Sequence, residues 1–85
     1  MSEPIPIAKG DFEAALGARF RSVRESRDAK LKDLSIHLGL SVNTIRWHEA
    51  GAVMLRLDML HKAADFFGCE VSDLTIPESE ATNGN

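Results

Sequence analysis

Four residues in the middle of the chain have side chains that can recognise the edges of DNA base pairs: Val42, Asn43, Arg46 and Trp47. The amide of Asn43 can pair twice with adenine, and the guanidinium of Arg46 can pair twice with guanine. Val42 offers a methyl group for contact with thymine. Trp47 has two alternatives, which are stacking on sugar and phosphate or packing on the protein itself. Together these residues form the predicted base-reading set, and the alternative for Asn43 and Arg46 is a merely solvated face.

A second set of residues suits contact with phosphate oxygens. Its members are Lys30, Lys32, Ser41, Thr44 and Arg56. Ser41 also has a purely structural alternative, because serine commonly caps the first turn of a helix. Arg19 and Arg21 have two alternatives, which are contact with the DNA backbone and simple solvation, and solvation is favoured.

The histidines and the cysteine do not form a metal-binding pattern. The spacings of His37, His48, His61 and Cys69 match no zinc motif, and Cys69 is predicted to be a small core residue. The chain also has no glycine-rich phosphate loop, nucleophile elbow or paired carboxylates. We therefore expect no metal, no cofactor and no enzymatic activity.

Length and composition predict one small soluble domain of 85 residues. No apolar run approaches the roughly 20 residues that span a bilayer, and no export signal is visible. A single cysteine cannot form an internal disulfide. We expect a cytoplasmic protein with no membrane partner.

The net charge of −3 is unevenly distributed along the chain. All ten basic residues lie between Lys9 and Lys62, among seven acidic ones, whereas the chain from Ala63 onward has five acidic residues and no basic residue. This asymmetry is compatible with a basic binding face, although a random drift of surface charge gives the same pattern.

Helical periodicity predicts the first two helices. Residues 1–10 are read as an irregular arm, and Asp11 is the expected N-cap of a helix over 12–26. The apolar positions of that helix are Phe12, Leu16, Phe20 and Val23. A second helix has Leu31, Leu34, Ser35 and Leu38 on one face. It ends at Gly39, which can adopt the left-handed conformation.

Three further helices follow. Ser41 caps the third, in which Ile45 faces the core, and Gly51 closes it. The fourth helix is marked by Leu57, Leu60, Ala64 and Phe67 and ends at Gly68. Ser72 caps a short fifth helix. The sequence thus predicts an all-α five-helix bundle over residues 11–76, followed by a disordered polar tail over 77–85.

The second and third helices have the pattern of a helix-turn-helix, which places its second helix in the major groove. Ser35 is small where the two helices come closest, and Gly39 lies in the turn. Leu34, Leu40 and Ile45 are apolar at the points that must pack together.

Three segments, in this order, resemble the phage-repressor or Cro-like helix-turn-helix family: LGARFRSVRE, DLSIHLGLSVNTIRWHEAG and LDMLHKAADFFGCEVSDL. The resemblance covers about residues 16–74 and implies a compact fold of the lambda-repressor type. It also implies a partly buried salt bridge between Arg24 and Glu49, which makes Glu49 structural rather than catalytic. His48 falls where the family has an apolar or aromatic residue, so a half-buried packing role is expected.

The chain departs from the family's pattern in two places. Lys30 and Leu31 replace the Ser/Thr-Gln pair that often opens the second helix, so the polar cap and an amide contact to DNA are lost. Lys30 is expected to replace that contact with a charge. The loop over 52–55 is unusually apolar, and an exposed apolar patch often marks a partner surface.

The sequence as a whole predicts a repressor that binds a palindromic operator as a homodimer, because one such domain contacts about half a site. The expected dimer interface contains Phe66, Phe67, Val71 and Ile76. Two alternatives stay open. One is an antitoxin or restriction-modification controller whose main partner is a second protein, and the other is a pure protein-interaction module.

Overall fold

Five helices make up the regular structure of residues 7–75, the part of the chain that the computed structural model describes. They are α1 (Asp11–Ser26), α2 (Leu31–Leu38), α3 (Val42–Glu49), α4 (Leu57–Phe67) and α5 (Ser72–Thr75). This confirms the predicted all-α, five-helix fold. Within residues 7–75 there is no strand, and none of the helices has the length and apolar character to cross a membrane. Residues 1–6 of the arm, Ile76 and the tail over 77–85 lie outside the described residues.

The core is built around aromatic rings from α1 and α4. Phe20 is fully buried, and its ring meets that of Phe67 edge to face at a centroid distance of 5.5 Å. All five helices and the loop before α4 contribute the other buried apolar side chains, which are Val23, Leu34, Leu38, Ile45, Leu55, Leu60, Ala63, Ala64 and Leu74. Within this core α3 packs mainly against α1 and α2.

Phe67 cannot belong to a dimer interface, contrary to the sequence-based prediction. Its side chain is 5% exposed because it closes the core against Phe20. Phe66 and Val71, the other two predicted interface residues that the structure describes, are only partly buried. The surplus of apolar residues near the end of the chain is thus partly used inside the monomer.

Two apolar residues that follow the helical periodicity are nevertheless exposed. Phe12 is 52% exposed and Leu57 is 61% exposed. Each lies in the first turn of its helix, where the apolar face extends beyond the edge of the core. Periodicity located both helices correctly but did not show where their contacts with the core begin.

The predicted side-chain caps of α1 and α5 are wrong. Asp11 is the first residue of α1, and Gly10 precedes it as an N-cap without a side-chain hydrogen bond. At α5, Ser72 is the first helical residue, and the carboxylate of Asp73 accepts a hydrogen bond from the Glu70 N–H at 3.0 Å. In both helices an acidic residue in the first turn, Asp11 in α1 and Asp73 in α5, interacts favourably with the helix dipole instead.

Two arginines bind backbone carbonyl groups of the C-terminal helices. Nε of Arg19 donates to the carbonyl oxygen of Asp73 at 2.8 Å, and Nε of Arg27 donates to that of Phe67 at 2.9 Å. The prediction of a solvated Arg19 is therefore wrong. These bonds connect α1 to the end of α4 and to α5.

The closest approach of α1 and α3 occurs at a buried glycine. A Cβ atom at Gly17 would collide with the carbonyl oxygen of His48 and lie 2.7 Å from the carbonyl carbon of Glu49. Gly51, just after α3, has a φ of +82°, and a Cβ atom there would lie 2.7 Å from Cα of Ala14. Both glycines let the backbone at the end of α3 rest directly on α1.

Candidate nucleic-acid interface

The turn between α2 and α3 is fixed by one serine and one glycine. Gly39 adopts the left-handed conformation with a φ of +71°. The carbonyl oxygen of Ser35 accepts hydrogen bonds from the N–H groups of Gly39 at 2.8 Å and Leu40 at 3.2 Å. The Ser35 hydroxyl donates to the carbonyl oxygen of Leu40. Ser35 thus helps to set the angle between α2 and α3 through these hydrogen bonds, and its small side chain lets the two helices approach.

The N-terminus of α3 carries a side-chain cap. Oγ of Ser41 accepts the Thr44 N–H at 3.1 Å and lies 2.9 Å from Oγ1 of Thr44. Both hydroxyl groups lie on the exposed surface, next to the first turn of the helix. The cap predicted for Ser41 is present.

The N-terminus of α2 has no side-chain cap. Lys30 occupies the N-cap position with an extended backbone, and its side chain makes no cap hydrogen bond. The side chains of Lys30 and Lys32 are exposed. This end of α2 therefore presents a positive dipole end together with two ammonium groups.

The buried and exposed faces of α3 separate cleanly. Ile45 and His48 point into the core, with 0% and 2% exposure. Arg46 and Trp47 are exposed on the other side, and Val42 and Asn43 are partly exposed. Trp47 is 38% exposed, so most of its side chain is covered by the protein while part of it reaches the outer surface.

A buried ion pair joins α1 to the end of α3. Nε of Arg24 donates to Oε2 of Glu49 at 2.7 Å, and Nη2 donates to Oε1 at 3.2 Å. The two side chains are only 12% and 7% exposed. The hydrogen bonds to Glu49 raise the pKa of Arg24 despite the opposing effect of burial. Nη1 of Arg24 also donates to the carbonyl oxygen of Ala29 before α2, so this guanidinium connects the three helices around the turn.

His48 is more deeply buried than the half-buried role that the sequence suggested. Its ring meets Phe20 edge to face at 4.8 Å, and Nδ1 accepts the Leu55 N–H at 3.2 Å. Nε2 has no hydrogen-bond partner within residues 7–75. Burial lowers the pKa of His48, and the nearby carbonyl group of Val53 only partly opposes this shift.

This buried imidazole predicts acid sensitivity of the fold. The unfolded chain takes up a proton near pH 6.5, whereas the folded chain takes it up only at lower pH. The free energy of unfolding should therefore fall as the pH drops below about 6.5, by up to about 1.4 kcal/mol per pH unit until the folded-state pKa is reached. Urea unfolding between pH 7.5 and about pH 5 measures this slope.

The matched variant for this measurement is His48→Asn. Its Oδ1 can accept the Leu55 N–H in place of Nδ1, and its amide does not titrate. The variant should be less stable at neutral pH and should lose the extra slope. Equal slopes for wild type and His48→Asn would contradict this role of His48.

The apolar loop over 52–55 folds back onto α3. The N–H groups of Ala52 and Val53 donate to the carbonyl oxygen of Trp47 at 2.9 Å and 3.3 Å. Leu55 is 9% exposed, and Val53 and Met54 are partly buried. The loop thus supports the end of α3, which weakens the interpretation of its apolar residues as a partner surface.

Arg56, the last of the residues predicted to contact phosphate, follows this loop. It is the N-cap of α4, with its side chain 85% exposed and Nε 3.4 Å from Oδ1 of Asp58. It lies on the surface beyond the loop that follows α3. Among residues 7–75 no three His, Cys, Asp or Glu side chains are grouped in a way that could hold a metal ion.

Sequence reasoning missed two features of this region. The first is Gly17, whose only signal was a glycine in the middle of a helical pattern. The second is the position of Arg21, which lines a pocket together with Arg24 and Arg46. No sequence signal brings these arginines together, because α1 and α3 become neighbours only through tertiary packing.

Comparison with known proteins agrees with this geometry. The family described as "Helix-turn-helix domain" matches residues 15–75. The structure is similar to the hypothetical transcription factor NHTF from Neisseria, with 20% identity, a TM-score of 0.73, and coverage of 96% of this chain and 95% of that one. It is also similar to the clp gene regulator ClgR from Corynebacterium glutamicum, with 25% identity, a TM-score of 0.73, and coverage of 88% and 77%.

A third similar structure is the restriction-modification controller protein C.AhdI from Aeromonas hydrophila, with 23% identity and a TM-score of 0.67. The alignment covers 72% of this chain and 92% of that one. Among curated proteins none matches the sequence significantly.

Proposed function

Because the chain belongs to the helix-turn-helix domain family, we propose that it is a sequence-specific DNA-binding repressor of transcription that binds a palindromic operator as a homodimer. The observation that carries this proposal is the outer face of α3, where Arg46 and Trp47 are exposed while Ile45 and His48 hold the helix in the core. Direct reading of the major groove requires a helix that is anchored in the core and has hydrogen-bonding side chains on its outer face. The more specific resemblance to phage repressors remains a prediction.

The base-reading residues are Val42, Asn43, Arg46 and Trp47. Arg46 is assigned to guanine and Asn43 to adenine, each through paired hydrogen bonds, and Val42 to a thymine methyl group. Trp47, which is 38% exposed, is proposed to stack with its exposed part on the sugar-phosphate backbone beside the bases.

The phosphate contacts come from residues on both sides of this helix. Lys30 and Lys32 flank the uncapped start of α2, and Ser41 and Thr44 present hydroxyl groups at the start of α3. Arg56 extends from the start of α4. Such contacts set the register of the protein on the duplex and carry no sequence information.

Homodimerisation follows from the size of the site. A single domain of this kind covers one half-site, and two half-sites about one helical turn apart give the affinity typical of specific regulators. The candidate interface keeps Phe66, Val71 and Ile76, whereas Phe67 is used in the core. A bound dimer represses by occupying promoter DNA. The proposed location of the protein is the cytoplasm, because its target is DNA.

The alternative function, an antitoxin or controller whose main partner is another protein, rested on the apolar loop over 52–55. That loop is bonded to Trp47 and contributes Leu55 to the core, so it offers less surface to a partner than the sequence suggested. The likeness to C.AhdI, at 23% identity, concerns the fold alone. DNA reading is therefore the favoured function, and a second regulatory protein is an additional partner at most.

The proposal predicts different effects for two substitutions. Arg46→Ala should weaken operator binding by about 1–3 kcal/mol and relax the base preference at one position. Lys30→Ala should weaken binding to all duplexes alike and flatten the salt dependence. Fluorescence anisotropy with an operator duplex and a scrambled duplex, at several salt concentrations, separates the two effects.

The control is Lys62→Ala, which removes the same charge from the exposed surface of α4. It should bind like the wild type apart from a small general effect of net charge. If Arg46→Ala and Lys30→Ala both match this control, the assignment of the reading face is wrong.

A further inference from the structure

A pocket of about 350 Å³ lies beside the buried ion pair, where α1, the start of α2 and the end of α3 meet. Its lining residues are Arg21, Arg24, Leu31, Arg46, Glu49 and Ala50. Arg46 also belongs to the proposed reading face, so the pocket is continuous with the surface assigned to DNA.

The charged groups around this pocket favour an anion. Three arginines and one acidic residue, Glu49, line it, and the Glu49 carboxylate already accepts two hydrogen bonds from Arg24. Arg24 uses three of its five N–H donors on Glu49 and Ala29. The lining therefore has an excess of positive charge, and the carboxylate that pairs with Arg21, that of Glu25, is not part of it.

Arg21 forms an exposed ion pair with Glu25, and another anion can replace Glu25 as its partner. Its Nε lies 3.0 Å from Oε2 of Glu25 one turn further along α1, and the two side chains are 63% and 55% exposed. Exposed pairs of this kind contribute little to stability, and salt screens them. Arg21 can thus turn from Glu25 to a stronger acceptor at small cost.

The pocket is poorly suited to an uncharged organic ligand. Its volume lies within the usual range of about 300–1,000 Å³ for ligand sites, but those sites are lined mainly by apolar and aromatic side chains. Here Leu31 and Ala50 are the only apolar residues among the six lining residues. A guanidinium cluster open to the surface matches the oxygens of a phosphate group.

On the basis of the proposed function, we infer that this pocket holds one backbone phosphate of the operator, with Arg21 as its main ligand and Arg46 at its edge. Leu31, the first residue of α2, also lines the pocket, and its side chain cannot donate a hydrogen bond. Arg21, from the neighbouring helix, supplies the donor that α2 lacks. Arg24 and Glu49 form the base of the site and position it.

The test measures the coupling between Arg21 and a single phosphate. Wild-type protein, Arg21→Gln and Lys62→Gln are titrated with operator duplexes in which one phosphate at a time is replaced by an uncharged methylphosphonate. Arg21→Gln should weaken binding to the unmodified operator about tenfold and reduce the slope of log K against log salt by about 0.9. On the one duplex that lacks the bound phosphate, Arg21→Gln and wild type should bind equally.

Two control variants, Lys62→Gln and Glu25→Gln, separate a specific contact with phosphate from a general effect of charge. Lys62→Gln makes the same charge change on α4 and should couple to no single phosphate. Glu25→Gln releases Arg21 from its ion pair and should bind at least as tightly as wild type, with coupling to the same phosphate. If wild type binds an operator but Arg21→Gln behaves like Lys62→Gln on every duplex, the pocket assignment is overturned and the proposed function stands. If wild type binds no duplex at low salt, the proposed function fails, and this inference fails with it.

Discussion

Glu49→Gln should lower the free energy of unfolding by about 3 kcal/mol. The substitution keeps the shape of the side chain but leaves the Arg24 guanidinium, which is 12% exposed, without its carboxylate. Breaking a buried pair from one side typically costs about 3–5 kcal/mol, and the bond from Arg24 to the Ala29 carbonyl group offsets part of that cost. Urea unfolding followed by circular dichroism measures the difference.

The chain itself provides a matched control for this experiment. Arg21 and Glu25 form a second arginine-glutamate pair at 3.0 Å, but on the open surface of α1. Glu25→Gln should therefore change stability by less than about 1 kcal/mol. The double variant Arg24→Met/Glu49→Leu should recover much of the loss, because a buried pair replaced by apolar residues is often tolerated. Equal effects of Glu49→Gln and Glu25→Gln would contradict a structural role for the buried pair.

Gly17→Ala is expected to destabilise the domain by about 3 kcal/mol, although helix propensity alone predicts the opposite sign. Alanine is favoured over glycine inside a helix by roughly 1 kcal/mol. At Gly17 the added Cβ atom would collide with backbone atoms at the end of α3, which cannot rotate away as a side chain can. Overpacking of this kind typically costs about 1–3 kcal/mol, and the cost rises where the backbone must move.

The control for Gly17 is the neighbouring Ala18, which is exposed. Ala18→Gly should cost about 1 kcal/mol through propensity alone. Gly17→Ala should also weaken DNA binding beyond its effect on stability, because α1 and α3 must separate and the reading face then turns. A Gly17→Ala variant that is more stable than wild type would show that α1 and α3 are not in close contact at this glycine.

Local signals in the sequence were sufficient to predict the helices and the turn between α2 and α3. The left-handed Gly39, the capping Ser41 and the buried Ile45 each act within a few residues of their own position, and the structure has all three as expected. The Arg24–Glu49 pair was expected only from the family resemblance, because its partners are 25 residues apart. No local rule connects residues at that separation.

Apart from the two helix caps, the errors share one physical cause, which is that tertiary packing decides exposure and pairing. Phe67 and Leu57 are apolar residues of one helix, yet the first is 5% exposed and the second 61% exposed. Arg19 and Arg21 are both flexible cations on α1. The first donates to a carbonyl group near the end of the chain, and the second lines a pocket near α3. Residue type and periodicity do not distinguish the members of either pair.

The most direct test of the central claim is selection of duplexes by the wild-type protein from a pool of random sequences, followed by sequencing. The proposed function predicts enrichment of a two-fold symmetric sequence whose half-site centres lie about 10–10.5 base pairs apart, or a multiple of that distance. Each half-site should contain a guanine whose selection is lost in Arg46→Ala. A pool that shows no enriched sequence, or an enriched sequence that Arg46→Ala selects equally well, would contradict the claim that the outer face of α3 reads DNA.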